Sequence, residues 1–451
     1  MLLYREKKFL IIIFIIFKLL KYKNLIITEN KVLNDNYLDK QKYLNLSFNN
    51  IINKKIKIGI YSYSIKNGGR ARITAILINN LYKIKIFEII LFTKIFKEKN
   101  EYIIPKNIKR KVIKNNLIKF LKKYKINCLI YKLDDVKEIT FLTHIKKVKV
   151  IFFHHSSNFD WIYNNYTIFK YIYNIFINVK YFVSIIPFEN NYLFKKWGIR
   201  SIYINDFLTF NYSCIIPSNI LTNNILMIGR GNSKKKRFYI GIQAMEYIIK
   251  EIKDSELCII SNLTGTNHLL NLIYNLNLKD NINFAGYTSN PEKYFKNVSL
   301  HFFPSISESF GMVLSETKIY GIPNILIGID YLSISKGGTI IIYDDFSESL
   351  ARESIKLLKD FKKKKIYSKE ARNSIRKLNN KIILNKWLKL ILSVFNGDIY
   401  YEELRKKDFV YDNENINIAN NQLKLLRMRN KIFANITIND YENISIMKNI
   451  N

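Results

Sequence analysis

A strand, a loop, a helix and a second strand follow one another in the stretch that most constrains how this chain folds. The apolar run 298–303 predicts a buried strand, and a serine-rich loop follows it. Residues 312–320 predict a short helix, which Gly321 is placed to end. The apolar residues 324–329 predict the next strand. This order of elements is the unit of a parallel sheet covered by helices, which predicts an α/β fold.

Two carboxylates lie eight residues apart in this stretch, Glu308 in the loop and Glu316 in the helix. Between them, the backbone amides near Phe310 and Gly311 lie at the helix start, where unpaired N–H groups and the helix dipole attract anions. A phosphate bound there would have one carboxylate on each side. Because carboxylates repel phosphate, their natural partners are hydroxyls that flank it. A nucleotide sugar has this arrangement of sugar hydroxyls, diphosphate and ribose hydroxyls.

The sequence Ser-Glu-Ser-Phe-Gly, followed by a second glutamate and then Tyr-Gly-Ile-Pro, resembles the signature of family 4 (group 1) retaining glycosyltransferases. The resemblance covers about residues 55–396. It implies the GT-B fold, an α/β architecture of two Rossmann-like domains facing across a cleft. It also implies that Glu308 contacts the transferred sugar, that Glu316 contacts the ribose, and that Phe310 and Gly311 lie at the donor diphosphate.

The charge of the chain is strongly positive, with 73 Lys and Arg against 36 Asp and Glu and a formal net charge of +37. Such an excess favours anionic surroundings: a membrane surface, nucleic acid or a phosphorylated substrate. Lys, Asn, Ile, Tyr and Phe are all abundant, however, as an AT-rich genome would also produce. The three cysteines are far apart and predict neither a disulfide framework nor a metal site.

The N-terminal residues 1–54 differ from the rest of the chain. Residues 9–17 are nine unbroken apolar residues, whereas a membrane-spanning helix needs about 20. The basic start and apolar middle are typical of a signal sequence, but no small-residue cleavage site follows. A signal-anchor, an interfacial amphipathic segment and a poorly ordered leader all stay open. The polar residues 29–53 predict a linker.

A glycine loop follows the first predicted strand, residues 56–61, and precedes an apolar-periodic helix over 70–81. Such a loop lets backbone amides approach a phosphate. Its position resembles the Gly-Gly-x-x-Arg loop of family 4, with Arg72 as the arginine, although alanine precedes it where the family often has glutamate. The resemblance implies that Gly68 and Gly69 contact the donor diphosphate or the acceptor. A tight turn without ligand contacts is the alternative.

A histidine pair ends one of the further predicted strands. His154 and His155 follow an apolar run, and the carboxyl end of a parallel strand is where α/β proteins bind ligands. Family members often have a histidine here that approaches the donor sugar, which implies His154 first and His155 as the alternate. An ordinary strand-end histidine is the competing interpretation. The further strands of this half are predicted at 87–92, 127–131, 149–153, 181–185 and 201–204.

A second glycine turn and a run of basic residues open the second half, before a long helix predicted over 238–251. The family has Gly-Arg, a short loop, a lysine and then this helix, and its arginine and lysine neutralise the diphosphate leaving group. The resemblance implies Arg230 for the arginine and Lys236 for the lysine, with Lys235 as the near alternative. The family usually has glycine after that lysine, whereas this chain has Arg237.

Another strand, residues 282–286, resembles the family strand whose terminal glycine, here Gly286, begins a loop that approaches the nucleotide base. A late helix predicted at 381–395 is the candidate for the GT-B helix that crosses back to the first domain, and 397–451 carry no motif. The predicted organisation is a leader and linker at 1–54, an acceptor domain at 55–215, a donor domain at 223–385, and the crossing helix with a C-terminal extension at 386–451.

The predicted enzyme moves a sugar, with retention, from a nucleotide-sugar donor to a glycan or lipid-linked acceptor. No cofactor is expected, and no metal, because Arg230 and Lys236 would stabilise the leaving group in place of a cation. The predicted location is cytoplasmic, peripheral to or anchored in an anionic membrane surface. Two alternatives stay open: a catalytically inactive GT-B partner or regulatory protein, and a basic nucleic-acid-binding protein. The second is suggested by charge alone and lacks any recognised motif, so no nucleic acid is expected.

Overall fold

The structure of the protein is a computed structural model that describes residues 55–155 and 199–395 with short gaps, and residues 176–187 except 177. It also describes Ile418, Asn421, Gln422 and Leu425. The short gaps are residues 67, 100, 115, 133–135, 200, 211 and 289. The predictions made for residues 1–54 lie outside the described residues. Among the residues described, no helix is both long and apolar enough to cross a bilayer.

Seven strands form the first sheet, in the order β3-β2-β1-β4-β5-β6-β7. The recorded pairings, such as those of β1 with β2 and with β4, are parallel. The strands are β1 Ile56–Ser62, β2 Phe87–Thr93, β3 Lys109–Val112, β4 Cys128–Lys132, β5 Lys149–His154, β6 Tyr181–Ser184 and β7 Ile202–Tyr203. Among the residues that the structure describes, the helices between them are α1 Gly69–Tyr82, α2 Leu117–Lys123 and α3 Val136–Thr143.

Glycine in the middle of β1 makes room for the core of this sheet. A Cβ at Gly59 would lie 2.8 Å from the ring of Phe92 on the neighbouring strand β2. Phe92 is itself fully buried. The small residue therefore leaves room for a large buried aromatic side chain on the neighbouring strand.

Six strands form the second sheet, in the order β10-β9-β8-β11-β12-β13, and all of its pairings are parallel. The strands are β8 Asn224–Ile228, β9 Glu256–Ile260, β10 Ile282–Phe284, β11 Leu300–Phe303, β12 Asn324–Ile327 and β13 Thr339–Ile342. The helices of this half are α4 Phe238–Glu251, α5 Asn267–Asn275, α6 Met312–Ile319, α7 Ser347–Lys359, α8 Phe361–Arg376 and α9 Asn380–Phe395. The apolar faces of α4, α5 and α7 pack on the sheet in one cluster that includes Met227, Met245, Phe302 and Leu350.

Residue contacts divide the chain into two compact units. The first contains the described residues within Met1–Asp134, His144–Ile151 and Leu388–Tyr401. The second contains those within Asp135–Thr143, Phe152–Trp387 and Glu402–Asn451, and therefore the whole of the second sheet. Within the second unit, Trp387 of α9 packs edge-on against Phe153 with ring centroids 5.1 Å apart.

The α/β prediction is confirmed, with the predicted helix at 70–81 observed as Gly69–Tyr82 and that at 312–320 as Met312–Ile319. Strand β3 was not predicted, because its sequence Lys-Arg-Lys-Val carries charge rather than apolar alternation. It lies at the edge of the sheet and pairs with β2 alone, where charged side chains reach solvent. Sequence periodicity finds buried strands more readily than such an edge.

Candidate functional site

Two loops at the carboxyl edge of the second sheet carry the most informative predicted residues. One follows β8 and leads to α4; the other follows β11 and leads to α6. Because β8 and β11 are parallel neighbours, their carboxyl ends lie side by side. A hydrogen bond of 2.8 Å from the Ile306 amide to the Lys235 carbonyl joins the two loops. This edge is where α/β sheets bind ligands.

Lys236 and Glu308 meet at this junction. The Lys236 ammonium donates to Glu308 Oε1 in a close ion pair. Their side chains are 19% and 16% exposed, so the pair is sheltered yet open on one side. The ammonium also lies 5.5 Å from the ring centroid of Phe303. An ammonium has three donors, so Lys236 can hold Glu308 and still offer hydrogen bonds to an incoming anion.

Arg237, the residue after Lys236, stands where the resemblance implies a glycine. Arg237 has a left-handed backbone, with φ 47° and ψ 44°, the conformation that glycine adopts most readily. Its buried guanidinium compensates by donating to the Pro304 carbonyl at 2.7 Å and by pairing with Asp345. The structure thus places Lys236, rather than Lys235, beside Glu308. The departure from the family glycine is accommodated by side-chain contacts.

The start of α6 presents backbone amides at the same junction. Gly311 caps the helix with φ 79°, and its carbonyl accepts from the Ser315 amide at 2.9 Å. Phe310 points into the core and is 1% exposed. In the part of the chain that the structure describes, no group accepts a hydrogen bond from the amides of Ser309, Phe310 or Gly311. Such amides attract an anion.

Glu316 lies one turn further along α6 and is 2% exposed. Behind it, a buried network ties the helix to the sheet. His301 Nδ1 lies 2.7 Å from Asn324 Oδ1, and the Thr317 hydroxyl donates to the same oxygen at 2.8 Å. Burial, opposed by the bond to Asn324 and assisted by the charge of Lys236, lowers the pKa of His301 to about 4. The imidazole is therefore neutral at ordinary pH and serves as a support for the site.

Tyr331, which the sequence analysis did not single out, contacts Glu308 directly. Its hydroxyl accepts from the Glu308 amide at 3.1 Å and donates to the Glu308 carbonyl at 3.0 Å. No sequence signal points to it, because it lies 23 residues further along the chain.

Arg230 and Gly286 lie at the same edge of the sheet. Arg230 is exposed, directly after β8, and its carbonyl accepts from the Ser233 amide at 2.9 Å within the loop. Gly286 follows β10 with φ 75°, and an added Cβ would meet nothing within 4 Å. Both positions therefore face open space in the second unit.

The acids after β13, which the sequence analysis left outside the motif set, have structural partners. Asp345 pairs with Arg237. Asp344 accepts from the Phe346 amide at 3.1 Å and from the Ser349 hydroxyl at 3.0 Å at the start of α7.

The predicted glycine loop lies in the first unit. Gly68 caps α1 with φ 82°, and an added Cβ would meet nothing within 4 Å. Gly69 is the first residue of the helix, and the Arg72 amide donates to the Gly68 carbonyl at 3.2 Å. The Arg72 guanidinium lies 5.4 Å from the ring centroid of Tyr102. The strand, glycine and helix start predicted here are all present.

The two histidines at the end of β5, His154 as its last residue and His155 directly after it, have different surroundings. His154 is 1% exposed, and its ring lies 6.0 Å from the rings of Phe176 and of Phe182. His155 Nε2 lies 2.7 Å from Asp206 Oδ2, and both side chains are buried. The first choice of the sequence analysis thus lies among aromatic rings, and the alternate lies beside a carboxylate.

Comparison with known proteins bears on the second unit most directly. Residues 218–374 match the family model of glycosyl transferases group 1. Poly(glycerol-phosphate) alpha-glucosyltransferase of Bacillus subtilis (strain 168) is 24% identical over 186 residues, which are 40% of this chain and 28% of that protein. The chain thus matches little more than a quarter of the curated relative. The predicted resemblance to group 1 glycosyltransferases is confirmed over this region.

Solved structures agree over a longer part of the chain. Sucrose-phosphate synthase from Thermosynechococcus elongatus has a TM-score of 0.64 and 15% identity, covering 75% of this chain and 99% of that chain. The Anabaena protein HepE in complex with UDP and glucose has a TM-score of 0.61 and 14% identity, covering 75% and 99%. At these identities the likeness shows the fold, and the GT-B prediction is confirmed.

Proposed function

We propose that this chain, whose residues 218–374 match group 1 glycosyl transferases, moves a sugar from a nucleotide-sugar donor to a glycan or lipid-linked acceptor. The observation that carries the proposal is the Lys236–Glu308 pair beside the open amides at the start of α6. A cation, a carboxylate and free N–H groups at one point suit a ligand that combines a phosphate with hydroxyls.

Positively charged groups and carboxylates would bind different parts of the donor. Lys236 and the amides near Gly311 would meet the diphosphate, and Arg230, exposed after β8, would supply a second positive charge. Glu308 would accept hydrogen bonds from hydroxyls of the transferred sugar, and Glu316 from those of the ribose. The ion pair with Lys236 orients the Glu308 carboxylate.

In the proposed reaction, the bond between the anomeric carbon and the diphosphate oxygen breaks, and its electron pair leaves with the diphosphate. The acceptor hydroxyl attacks from the same face through an oxocarbenium-like state, and its proton passes to the departing diphosphate oxygen. Retention follows from attack on the leaving-group face. Arg230 and Lys236 stabilise the charge that grows on the leaving group, which is the task that a metal ion performs in other transferases.

The comparisons support the substrate classes. One structural neighbour is in complex with UDP and glucose, and the curated relative is named for glucosyl transfer to poly(glycerol-phosphate). We therefore propose a UDP-sugar as the first donor to examine and a hydroxyl of a glycan or phosphate-containing polymer as acceptor. Family 4 membership and a cytoplasmic location are part of the same proposal.

A basic edge of the first unit supports attachment to an anionic membrane surface. This edge, residues 94–125, contains twelve Lys or Arg residues and two acidic ones. An open groove of about 740 Å³ beside β3 is lined by Lys97, Lys111 and Lys114, and exposed Phe96 borders it. Each basic residue near anionic lipid contributes about 1 kcal/mol of attraction, which salt screens. Sedimentation with anionic liposomes should decrease with salt and in a Lys111→Glu/Lys114→Glu variant.

Thermal shift of the purified protein with UDP-, GDP- and ADP-sugars tests the donor, and NMR of the product's anomeric configuration tests retention. We expect stabilisation by one nucleotide class, slow donor hydrolysis and a product with the donor's configuration. Stabilisation without hydrolysis or transfer would identify an inactive GT-B partner protein instead. Salt-sensitive RNA binding without any nucleotide-sugar binding would contradict the proposal altogether.

A further inference from the structure

The Tyr331 hydroxyl contacts the backbone of Glu308, whereas the Glu308 carboxylate pairs with Lys236. The phenol hydroxyl accepts from the Glu308 amide at 3.1 Å and donates to the Glu308 carbonyl at 3.0 Å. The ring is 2% exposed, so the hydroxyl reaches the loop from inside the protein. One side chain thus holds both polar groups of one residue's backbone, in a loop without regular structure.

The residue before it, Asp330, holds Tyr331 in place. The carboxylate accepts from the Tyr343 hydroxyl at 2.9 Å, from Asn421 Nδ2 at 3.1 Å and from Gln422 Nε2 at 2.7 Å. The Asp330 carbonyl accepts from the Ser335 hydroxyl at 2.6 Å. A carboxylate with three donors, buried at 8% exposure, is a rigid anchor for the adjacent tyrosine.

The C-terminal region completes this anchor. Gln422 also donates to the Gly328 carbonyl at 2.5 Å. Leu425 is fully buried over the same glycine, and a Cβ added at Gly328 would lie 2.1 Å from it. Gly328 has φ 64°, so this position needs glycine both for its backbone conformation and for the space that Leu425 occupies. Residues about ninety positions later in the chain therefore hold the loop that carries Tyr331.

We propose that Tyr331 is a positioning residue for Glu308, an inference that rests on the proposed contact of Glu308 with the donor sugar. The phenol fixes the peptide of Glu308, so that the carboxylate, paired with Lys236, faces the donor in one orientation. A misplacement of about 1 Å at a reacting centre lowers the rate up to roughly a hundredfold. Removing the hydroxyl should therefore lower kcat while the diphosphate contacts of Lys236 and Arg230 remain.

The test is Tyr331→Phe beside Tyr343→Phe as matched control, because each loses one phenol hydroxyl of the same network and only Tyr331 contacts Glu308. We expect Tyr331→Phe to lower kcat by about tenfold to a hundredfold with UDP binding within about threefold of the parent. Tyr343→Phe should stay within about threefold of the parent kcat, because Asn421 and Gln422 still donate to the Asp330 carboxylate. In a Glu308→Ala background, Tyr331→Phe should cause no further loss, because the two residues act as one unit. Equal kcat values for the two phenol variants, or fully additive losses with Glu308→Ala, would overturn the proposal.

Hydrogen exchange of peptides covering residues 304–311 tests the positioning without any activity. Exchange at the Glu308 amide should accelerate in Tyr331→Phe and not in Tyr343→Phe. Unchanged exchange in Tyr331→Phe would overturn the positioning role even if the parent transferred no sugar. A different outcome would refute the proposed function alone. It combines faster exchange in Tyr331→Phe with a parent protein that neither binds nor hydrolyses UDP-glucose, GDP-sugars or ADP-sugars.

Discussion

Two strand–loop–helix segments of this protein share a local design and differ in how they are supported. One is the Gly68 loop between β1 and α1; the other is the Glu308 loop between β11 and α6. In each, a glycine with positive φ caps the helix, φ 82° at Gly68 and 79° at Gly311, although ψ is 164° at the first and 64° at the second. Each glycine therefore uses a backbone conformation that other residues rarely adopt, and each precedes the start of a helix.

The supports of the two glycines differ. A Cβ added at Gly68 would meet nothing within 4 Å, whereas one at Gly311 would lie 3.3 Å from Leu314 and from Leu332. The Glu308 loop is also held by Lys236 and by Tyr331. A strand–loop–helix segment of this kind can thus be open to solvent or packed into a fixed site, and side chains such as Leu332, Lys236 and Tyr331 decide which.

Replacing Lys236 should have the largest effect on the packed segment. Lys236→Met should lower kcat by about a hundredfold to a thousandfold, because loss of one preorganised charge at such a site costs about 2.7–4 kcal/mol. Lys235→Met is the matched control; it keeps the backbone carbonyl that accepts from Ile306 and should stay within about threefold of the parent. Transfer kinetics of both variants make the comparison. Similar losses of kcat in the two variants would show that Lys236 contributes no more to the reaction than Lys235 does.

Acid should weaken the packed segment through His301. Its pKa is about 4 in the folded protein and 6.5 in the unfolded chain, so the unfolded chain binds more protons at acidic pH. The stability contributed by the neutral imidazole is complete above pH 6.5 and is lost as pH falls toward 4. We expect a loss of about 2–3 kcal/mol from this residue, measured as the free energy of unfolding at pH 7 and near pH 4.5. His301→Gln should flatten that dependence, and an equally steep profile in the variant would place the acid sensitivity elsewhere.

A methyl group on Gly311 should destabilise the fold. Gly311→Ala places a side chain at φ 79° and brings it against Leu314 and Leu332. Left-handed strain and crowding together should lower the free energy of unfolding by about 2 kcal/mol, which urea denaturation would measure. Parent-like stability would mean that the helix start relaxes easily and is not a fixed site.

The same change at Gly68 should act through the backbone alone. Gly68→Ala meets no crowding, but φ 82° with ψ 164° is a conformation that almost only glycine adopts, at a cost of about 1–3 kcal/mol. If that open space receives donor or acceptor, KM should rise by roughly threefold to tenfold, since the added methyl obstructs close approach to the backbone. Denaturation and transfer kinetics on one preparation separate the two effects. An unchanged KM would leave the Gly68 loop as a turn without ligand contacts.

Local patterns were enough to predict the α/β architecture and to select the residues of the candidate site. Apolar runs, glycine turns and helical periodicity are properties of neighbouring residues, and they predicted the alternation of strands and helices and the bounds of α1 and α6 to within a residue. The resemblance carried by Glu308, Glu316 and the basic run before α4 pointed to Lys236 by the same local logic. Strand β3 escaped because its charge pattern is set by exposure at a sheet edge.

Only the tertiary structure decided what holds these residues in place. Arg237 has a left-handed backbone, and its guanidinium is bound by Pro304 and Asp345, both distant in sequence. Tyr331 reaches Glu308 across 23 residues, and Gln422 reaches Asp330 across 92. The sequence determined the strands, the turns and the types of charged group at the site. Which of those groups meet depends on how the sheet brings the ends of separate strands together and on side chains that pack between them, and neither is encoded in any short stretch of the chain.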